Sequence, residues 1–218
     1  MTKRLFLAML VLAVAAAMVR AADYRVEPIK EPAPDVSADI AAQLSPSGFK
    51  VLEGAKKTVC EIWPAKSWTM KADFQPSDTV LYPIEPGSLV GVLRFPRKGA
   101  DFRGQDIPAG VYTLRYADQP VDGNHVGTFA TRDFLLLVPA ASDESPAPIA
   151  EKDLFTASAK SAESSHPAIK PLVKPESATP GELRHLEEQD WWTLSLSGQD
   201  TKGMKRMLEV IVVGKAAE

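Results

Sequence analysis

The clearest fold signal in this sequence is the stretch GVYTLRYA, residues 110–117. Its large apolar residues, Tyr112, Leu114 and Tyr116, alternate with polar ones, which is the two-residue period of a strand with one buried face. A turn sequence containing Pro108 leads into it. We therefore predict a half-buried β-strand over Val111–Ala117.

Further segments on both sides show the same alternation or a short apolar run that ends at turn residues. They are Phe49–Leu52, Thr58–Trp63, Ser88–Phe95, Thr131–Val138, Trp191–Leu196 and Met207–Val213. About eight antiparallel strands are typical of a two-sheet sandwich. We predict a mainly β fold, a two-sheet antiparallel β-sandwich of jelly-roll or immunoglobulin-like type with one or two short helices.

The helical and irregular segments are predicted from spacing and from proline. Apolar residues at helical spacing predict helices over Ala38–Leu44 and Ala147–Ala162. The stretches Asp23–Pro34 and Ser164–Pro180 are rich in proline, which donates no backbone hydrogen bond. We predict that the first is an exposed leader, either a tether or an extension of a sheet edge, and that the second runs irregularly across the surface.

The N-terminal 21 residues have the pattern of a secretory signal peptide. Lys3 and Arg4 precede the apolar run Leu5–Val19, and small residues stand before a cut after Ala21. This run is shorter than the roughly 20 residues of a membrane-spanning helix. The predicted organisation is a signal peptide over 1–21, a leader with a short helix over 22–47 and one sandwich domain over 48–218. We expect an exported protein, periplasmic or extracellular, with no membrane span in the mature chain.

Charge and cysteine content exclude several classes of protein. Removing residues 1–21 takes away three basic residues, which leaves 22 against 28 acidic ones and a net charge of −6. This balance, without a basic patch, argues against a nucleic-acid partner. Cys60 is the sole cysteine, so an intramolecular disulfide and a multi-cysteine metal site are both excluded. We expect Cys60 to be a small buried hydrophobe and the protein to hold no cofactor.

The strongest candidate for a ligand site is the polar crossing between the strands 111–117 and 131–138. Loops displayed by a rigid sheet often carry binding residues. Carboxylates and an imidazole in this crossing could hold a divalent cation, and its arginine could bind a carboxylate or phosphate. Together with a downstream histidine held away from helical geometry by Pro167, the predicted ligand-binding residues are Asp122, Asn124, His125, Arg132, Asp133 and His166.

Simpler explanations exist for each of these groups. Asp-Gly and Asn are also turn residues, and Arg132 beside Asp133 is compatible with a surface ion pair. The sequence has no G-x-S-x-G motif, so serines near His166 do not indicate a hydrolase. We assign no role to His185, and we interpret the acidic groups at 143–144 and 187–190 as charged strand boundaries.

Aromatic residues raise a further possibility, carbohydrate binding. Trp191 and Trp192 are adjacent, so in a regular strand they point to opposite faces. An exposed ring there, or at Trp63 or Trp68, would be a platform for a sugar. Large aromatic residues of β-sandwiches are nonetheless core residues far more often.

The stretch Gly110–Leu114, entered from Ile107-Pro108-Ala109, resembles the G-x-Y-T-L strand of secreted bacterial β-sandwich modules of uncharacterised, domain-of-unknown-function type. Their last strands also carry a Trp-x-Leu and a valine-rich segment. The resemblance implies a sandwich in the cell envelope and carries over no catalytic residue.

These observations favour one function hypothesis over two others. The leading hypothesis is a non-catalytic exported protein that binds an unknown protein or small-molecule ligand through loops at one end of the sandwich. The alternatives are a metal-assisted hydrolase, in which Asp122, His125 and His166 converge on one ion, and a carbohydrate-binding module.

Overall fold

A computed structural model describes residues 23–120 and 129–216 of the chain. The helices are α1 (Ala38–Gln43) and α2 (Glu151–Ser161), and a 3-10 turn spans Ala140–Ser142. The strands are β1 (Tyr24–Ile29), β2 (Gly48–Glu53), β3 (Lys57–Pro64), β4 (Leu89–Phe95), β5 (Gly99–Ala100), β6 (Asp106–Ile107), β7 (Gly110–Asp118), β8 (Asp133–Pro139), β9 (Ile169–Val173), β10 (Leu183–Leu186), β11 (Trp191–Gln199) and β12 (Lys205–Val213).

Ten of these strands form one antiparallel sheet in the order β1-β2-β3-β4-β7-β8-β9-β12-β11-β10, while β5 and β6 pair separately. The sheet curls until it is nearly closed into a barrel. Tyr24 on edge strand β1 lies 5.2 Å, ring centre to ring centre, from Trp192 on β11. The prediction of a mainly β, antiparallel fold is confirmed. The division into two sheets is not, because β9 pairs with both β8 and β12 and so joins the two halves.

Strands with a clear two-residue period lie where the sequence predicts them. Strand β7 is paired in register with β4 and β8, and β2 and β3 form the expected hairpin. Cys60 on β3 is fully buried, and this burial raises the pKa of its thiol to about 12. It is therefore a core residue, as predicted.

The two proline-rich stretches contain strands. The prediction of an irregular run over Ser164–Pro180 is wrong, and of the two alternatives for Asp23–Pro34 the structure shows the extension of a sheet edge. Residues 24–29 form edge strand β1, where Pro28 is tolerated because an edge strand pairs along one side. Residues 169–173 form β9, which pairs through 169–171 with β8 and through 172–173 with β12. Pro171 fits because neither neighbouring strand runs along the whole of β9.

The inner face of the curled sheet holds the main core. Alternate residues of β7, β8 and β9 point inward, among them Leu114, Leu135 and Leu172. Both short helices lie on the outer face. Ser37 caps the N-terminus of α1, because its Oγ accepts a hydrogen bond from Ile40 N–H at 3.1 Å, and α2 packs through Leu154 against β7 and β8. The described residues include no helix with the length and apolar character needed to cross a bilayer.

The two ends of the curled sheet differ. At one end, which we call the closed end, residues 65–87 cross between β3 and β4 and insert Trp68 and Tyr82 into the core. Trp68 Nε1 donates to Val90 O at 3.1 Å. Gly198 makes room for the Trp68 ring, because a Cβ at that position would lie 2.7 Å from it. At the opposite end, which we call the open end, a pocket enters the sheet instead.

Candidate functional site

The predicted ligand residues fall into two groups in the structure. Asp122, Asn124 and His125 lie outside the described residues. Arg132, Asp133 and His166 are described, and they do not form one cluster. The participation of these residues in ligand binding stays a prediction.

Asp133 acts inside the protein, at the closed end. It is fully buried, and its carboxylate accepts hydrogen bonds from Leu81 N–H at 2.8 Å, Tyr82 N–H at 3.2 Å and Tyr116 Oη at 2.6 Å. Burial raises the pKa of Asp133, and these three hydrogen bonds oppose the rise. The carboxylate therefore holds the 79–82 segment in place.

Arg132 also organises backbone at this end. Its Nε donates to Gln119 O at 2.8 Å, and its N–H donates to Thr79 O at 2.6 Å. These bonds connect the start of the polar crossing with the segment that closes the sheet. Sequence spacing alone gave no sign of this contact with residue 79.

His166 lies on the outer surface, in a groove of about 200 Å³ between α2 and the sheet. The groove also contains the first residues of the polar crossing, 118–120, so the crossing and His166 share one surface feature. Its floor is apolar, formed by Phe134, Leu136, Phe155 and Ile169. Asp118 on its rim is already paired, because it accepts from Lys71 Nζ at 2.8 Å.

A second pocket, at the open end, contains a residue that the sequence did not single out. It has a volume of about 350 Å³ and lies among the ends of β1, β3, β4, β9 and β12. Lys170 on β9 lines it from inside the sheet, and the residue is 3% exposed. Lysine is rarely buried to this extent without a charged partner.

The polar environment of Lys170 is sparse. Its Nζ donates to Val212 O at 3.2 Å, and it lies 6.0 Å from the centre of the Phe95 ring. No carboxylate lies within ion-pair distance of it among residues 23–120 and 129–216. Burial lowers the pKa of Lys170, while Cys60 and Asp101 act in the opposite direction.

Asp101, the carboxylate that opposes the fall in the pKa of Lys170, accepts hydrogen bonds from other donors at both oxygens. Its Oδ1 accepts from Arg103 N–H and Gln105 N–H, and its Oδ2 accepts from Gln105 Nε2 and Ile169 N–H. All four distances lie between 2.8 and 3.2 Å. Asp101 thus shapes the loop beside the pocket, and both of its carboxylate oxygens are occupied by donors other than Lys170.

The sequence contains one signal for this residue. Lys170 stands in the short run Ile-Lys-Pro-Leu-Val, where its spacing from Leu172 places it on the inward face. This spacing is informative only if residues 169–173 are known to form a strand. The prolines at 167, 171 and 175 argue against a strand in the sequence.

Metal binding and sugar stacking find little support in the described part of the chain. No group of three His, Cys, Asp or Glu side chains there could hold a metal ion. Trp63 and Trp68 are buried. Trp192 stacks on His185 at 4.4 Å, and Trp191 packs in an aromatic cluster with Phe102 and Phe129.

His185 lies on edge strand β10. The sequence suggested a solvated residue of a helix or turn and no functional role. Its Nε2 is 2.8 Å from Asp190 Oδ1, and its ring covers Trp192. These contacts cover one face of the Trp192 ring near the edge of the sheet.

No protein-family model matches this sequence, and no curated protein or solved structure is significantly similar to it. A function is therefore inferred from the chemistry of the pockets themselves.

Proposed function

We propose that this chain is an exported, non-catalytic protein that binds a small molecule in the open-end pocket above Lys170. The observation that carries the proposal is a buried lysine that faces a pocket and whose one hydrogen-bond acceptor among the described residues is a backbone carbonyl. Export rests on the signal-peptide pattern of residues 1–21, which lie outside the described residues.

A purely structural role explains Lys170 poorly. An ammonium group has three donors, and burying it without matching acceptors costs free energy. A leucine or methionine at this inward position would fill the same space without that cost. Residues that destabilise a fold tend to be retained where they serve a function.

The shape of the pocket supports a ligand rather than a protein partner. A volume of about 350 Å³ is at the lower end of the range of roughly 300 to 1,000 Å³ for small-molecule pockets. Apolar side chains such as Phe95 and Val212 form walls around a single buried cation. An apolar wall with a few placed polar groups is the usual composition of such sites.

The outer groove with His166 and the two alternative functions rank behind this proposal. The groove is smaller, and Asp118 on its rim is already paired with Lys71. The hydrolase hypothesis depends on Asp122 and His125. The carbohydrate hypothesis requires free aromatic faces, whereas Trp191 and Trp192 pack against other rings.

Ligand screening by thermal shift tests the binding function. We expect compounds from a small-molecule library to raise the Tm of the wild-type chain and to lose that effect in Lys170→Met. The matched control is Lys152→Met, an exposed position on α2 remote from the pocket, which should respond like wild type. Stabilising compounds that act equally on wild type and Lys170→Met would place the site elsewhere.

Export is tested separately by expressing the full chain in a bacterium and sequencing the N-terminus of the accumulated protein. We expect it to begin at Ala22 in the periplasm or medium. An uncleaved cytoplasmic product would refute export and leave the ligand site untouched.

A further inference from the structure

The charged groups around the open-end pocket are unevenly balanced. Five cationic side chains line it, Lys57, Arg97, Lys98, Lys170 and Lys215, in a protein whose overall charge is negative. The acidic residues in the same lining are Glu53 and Asp101. A mouth with this excess of positive charge attracts anions from solution.

Local ion pairs occupy two of these five cations. Lys57 Nζ lies 2.5 Å from Glu53 Oε2, and Lys98 Nζ lies 2.9 Å from Asp106 Oδ2. Asp101 is saturated by its four donors. Within the described ranges, Arg97 at the rim and Lys170 at the base have no carboxylate at ion-pair distance.

These observations assign a chemical class to the ligand. We propose that the pocket binds a small organic monocarboxylate, whose carboxylate accepts hydrogen bonds from the Lys170 ammonium while its apolar body lies against Phe95 and Val212. The inference rests on the proposed binding function and specifies its ligand. Arg97 at the rim attracts the anion toward the mouth.

The single cation at the base favours a carboxylate over a phosphate. Phosphate sites in proteins combine several donors, commonly an arginine fork or a series of backbone N–H groups. Lys170 instead supplies one compact charge beside an aromatic ring and a valine. A monoanion with an apolar tail matches both its charge and its walls.

A matched set of six-carbon probes tests the assignment by isothermal titration calorimetry on the full chain after export. The set consists of hexanoate, neutral hexanamide and cationic hexylamine. We expect hexanoate to bind wild type about tenfold to a hundredfold more tightly than hexanamide, as a charge-assisted hydrogen bond predicts. Hexylamine should show no binding.

Substitutions then test which residues produce the preference for hexanoate. Lys170→Met should remove the advantage of hexanoate and leave hexanamide binding unchanged or improved. Arg97→Gln should weaken hexanoate about twofold to threefold, and less at high salt, because an exposed rim charge is screened. Lys152→Met serves as the control and should bind hexanoate like wild type.

The outcomes separate this inference from the function on which it rests. Equal affinity of wild type for hexanoate and hexanamide, or tighter binding of hexylamine, would overturn the anion assignment while the pocket remained a binding site. Absence of binding by all three probes would overturn the monocarboxylate assignment. If the wider library screen also found no ligand sensitive to Lys170, the proposed function would fall as well.

Discussion

The two ends of the curled sheet bury charged groups in opposite ways. At the closed end, the buried carboxylate of Asp133 accepts two hydrogen bonds from the segment that covers it and a third from Tyr116 on β7. At the open end, the buried ammonium of Lys170 faces a pocket and donates, within residues 23–120 and 129–216, to one backbone carbonyl. Satisfied burial stabilises a fold, whereas incompletely satisfied burial destabilises it. The comparison separates a charge that builds the structure from one that is available to a ligand.

Asp133→Ala should produce the largest effect and break the closed end. The change leaves two buried backbone N–H groups without their acceptor and removes the shortest hydrogen bond of the Tyr116 hydroxyl, so we expect a loss of about 3 kcal/mol in the free energy of unfolding. Urea denaturation followed by tryptophan fluorescence measures this loss. The control, exposed Glu188→Ala, should change stability by less than about 0.5 kcal/mol. A small effect of Asp133→Ala would show that the closed end does not depend on this carboxylate.

Lys170→Met should stabilise the protein, in contrast to Asp133→Ala. It removes an incompletely paired buried cation, so we expect a gain of roughly 1 to 3 kcal/mol at pH 7. The matched lysine at the closed end, Lys71, is paired with Asp118, and Lys71→Met should lower stability by up to about 1 kcal/mol. Denaturant titration of both variants measures whether each substitution raises or lowers the free energy of unfolding. Destabilisation by both substitutions would mean that Lys170 is as well satisfied as Lys71.

The gain from Lys170→Met should also depend on pH. Burial lowers the pKa of Lys170 in the folded protein, so the wild-type chain loses stability as pH falls below the unfolded pKa of about 10.4 and through the folded pKa. Methionine lacks this loss. The difference between variant and wild type should therefore be largest at neutral pH and shrink toward pH 10.5, which unfolding curves over that range measure. A difference that is constant across the range would contradict the lowered pKa.

Two tyrosine hydroxyls, one at each end of the sheet, give a further comparison with smaller expected effects. Tyr82 at the closed end donates to Val173 O at 2.5 Å and accepts from Glu209 N–H at 3.0 Å. Tyr82→Phe should lower stability by about 1 to 2 kcal/mol. Tyr24 lines the open-end pocket, and its hydroxyl has no hydrogen bond within the described ranges, so Tyr24→Phe should be neutral. Thermal unfolding of the two variants compares them directly; equal losses would remove the distinction between the ends.

Sequence patterns predicted strands best where side chains alternate between two environments. The period of Tyr112, Leu114 and Tyr116 identified β7, and its apolar neighbours identified β4 and β8. Strands β1 and β9 were missed because proline was taken as evidence against pairing. Each is compatible with proline for a reason that depends on its neighbours, since β1 is an edge and β9 divides its pairing between two strands.

The candidate site was less accessible to sequence reasoning than the fold. Polar loop residues drew attention to 118–133, yet Asp133 and Arg132 serve to hold the closed end together. Lys170 was not selected from the sequence, because a lysine between isoleucine and proline resembles an ordinary solvated loop residue. Its importance comes from burial and from the absence of an ion-pair partner in the described part of the chain, and local sequence encodes neither.

By itself, the sequence determined the mainly β, antiparallel character of the chain and the burial of Cys60, because these follow from side-chain periodicity and local composition. The tertiary structure decided that ten strands form one nearly closed sheet, that one end is filled by Trp68 and Tyr82, and that Lys170 faces a pocket at the other. The physical reason is that pairing order and burial arise from residues distant along the chain. The sequence of one segment does not specify which distant residues will pair with it or leave its polar groups without partners.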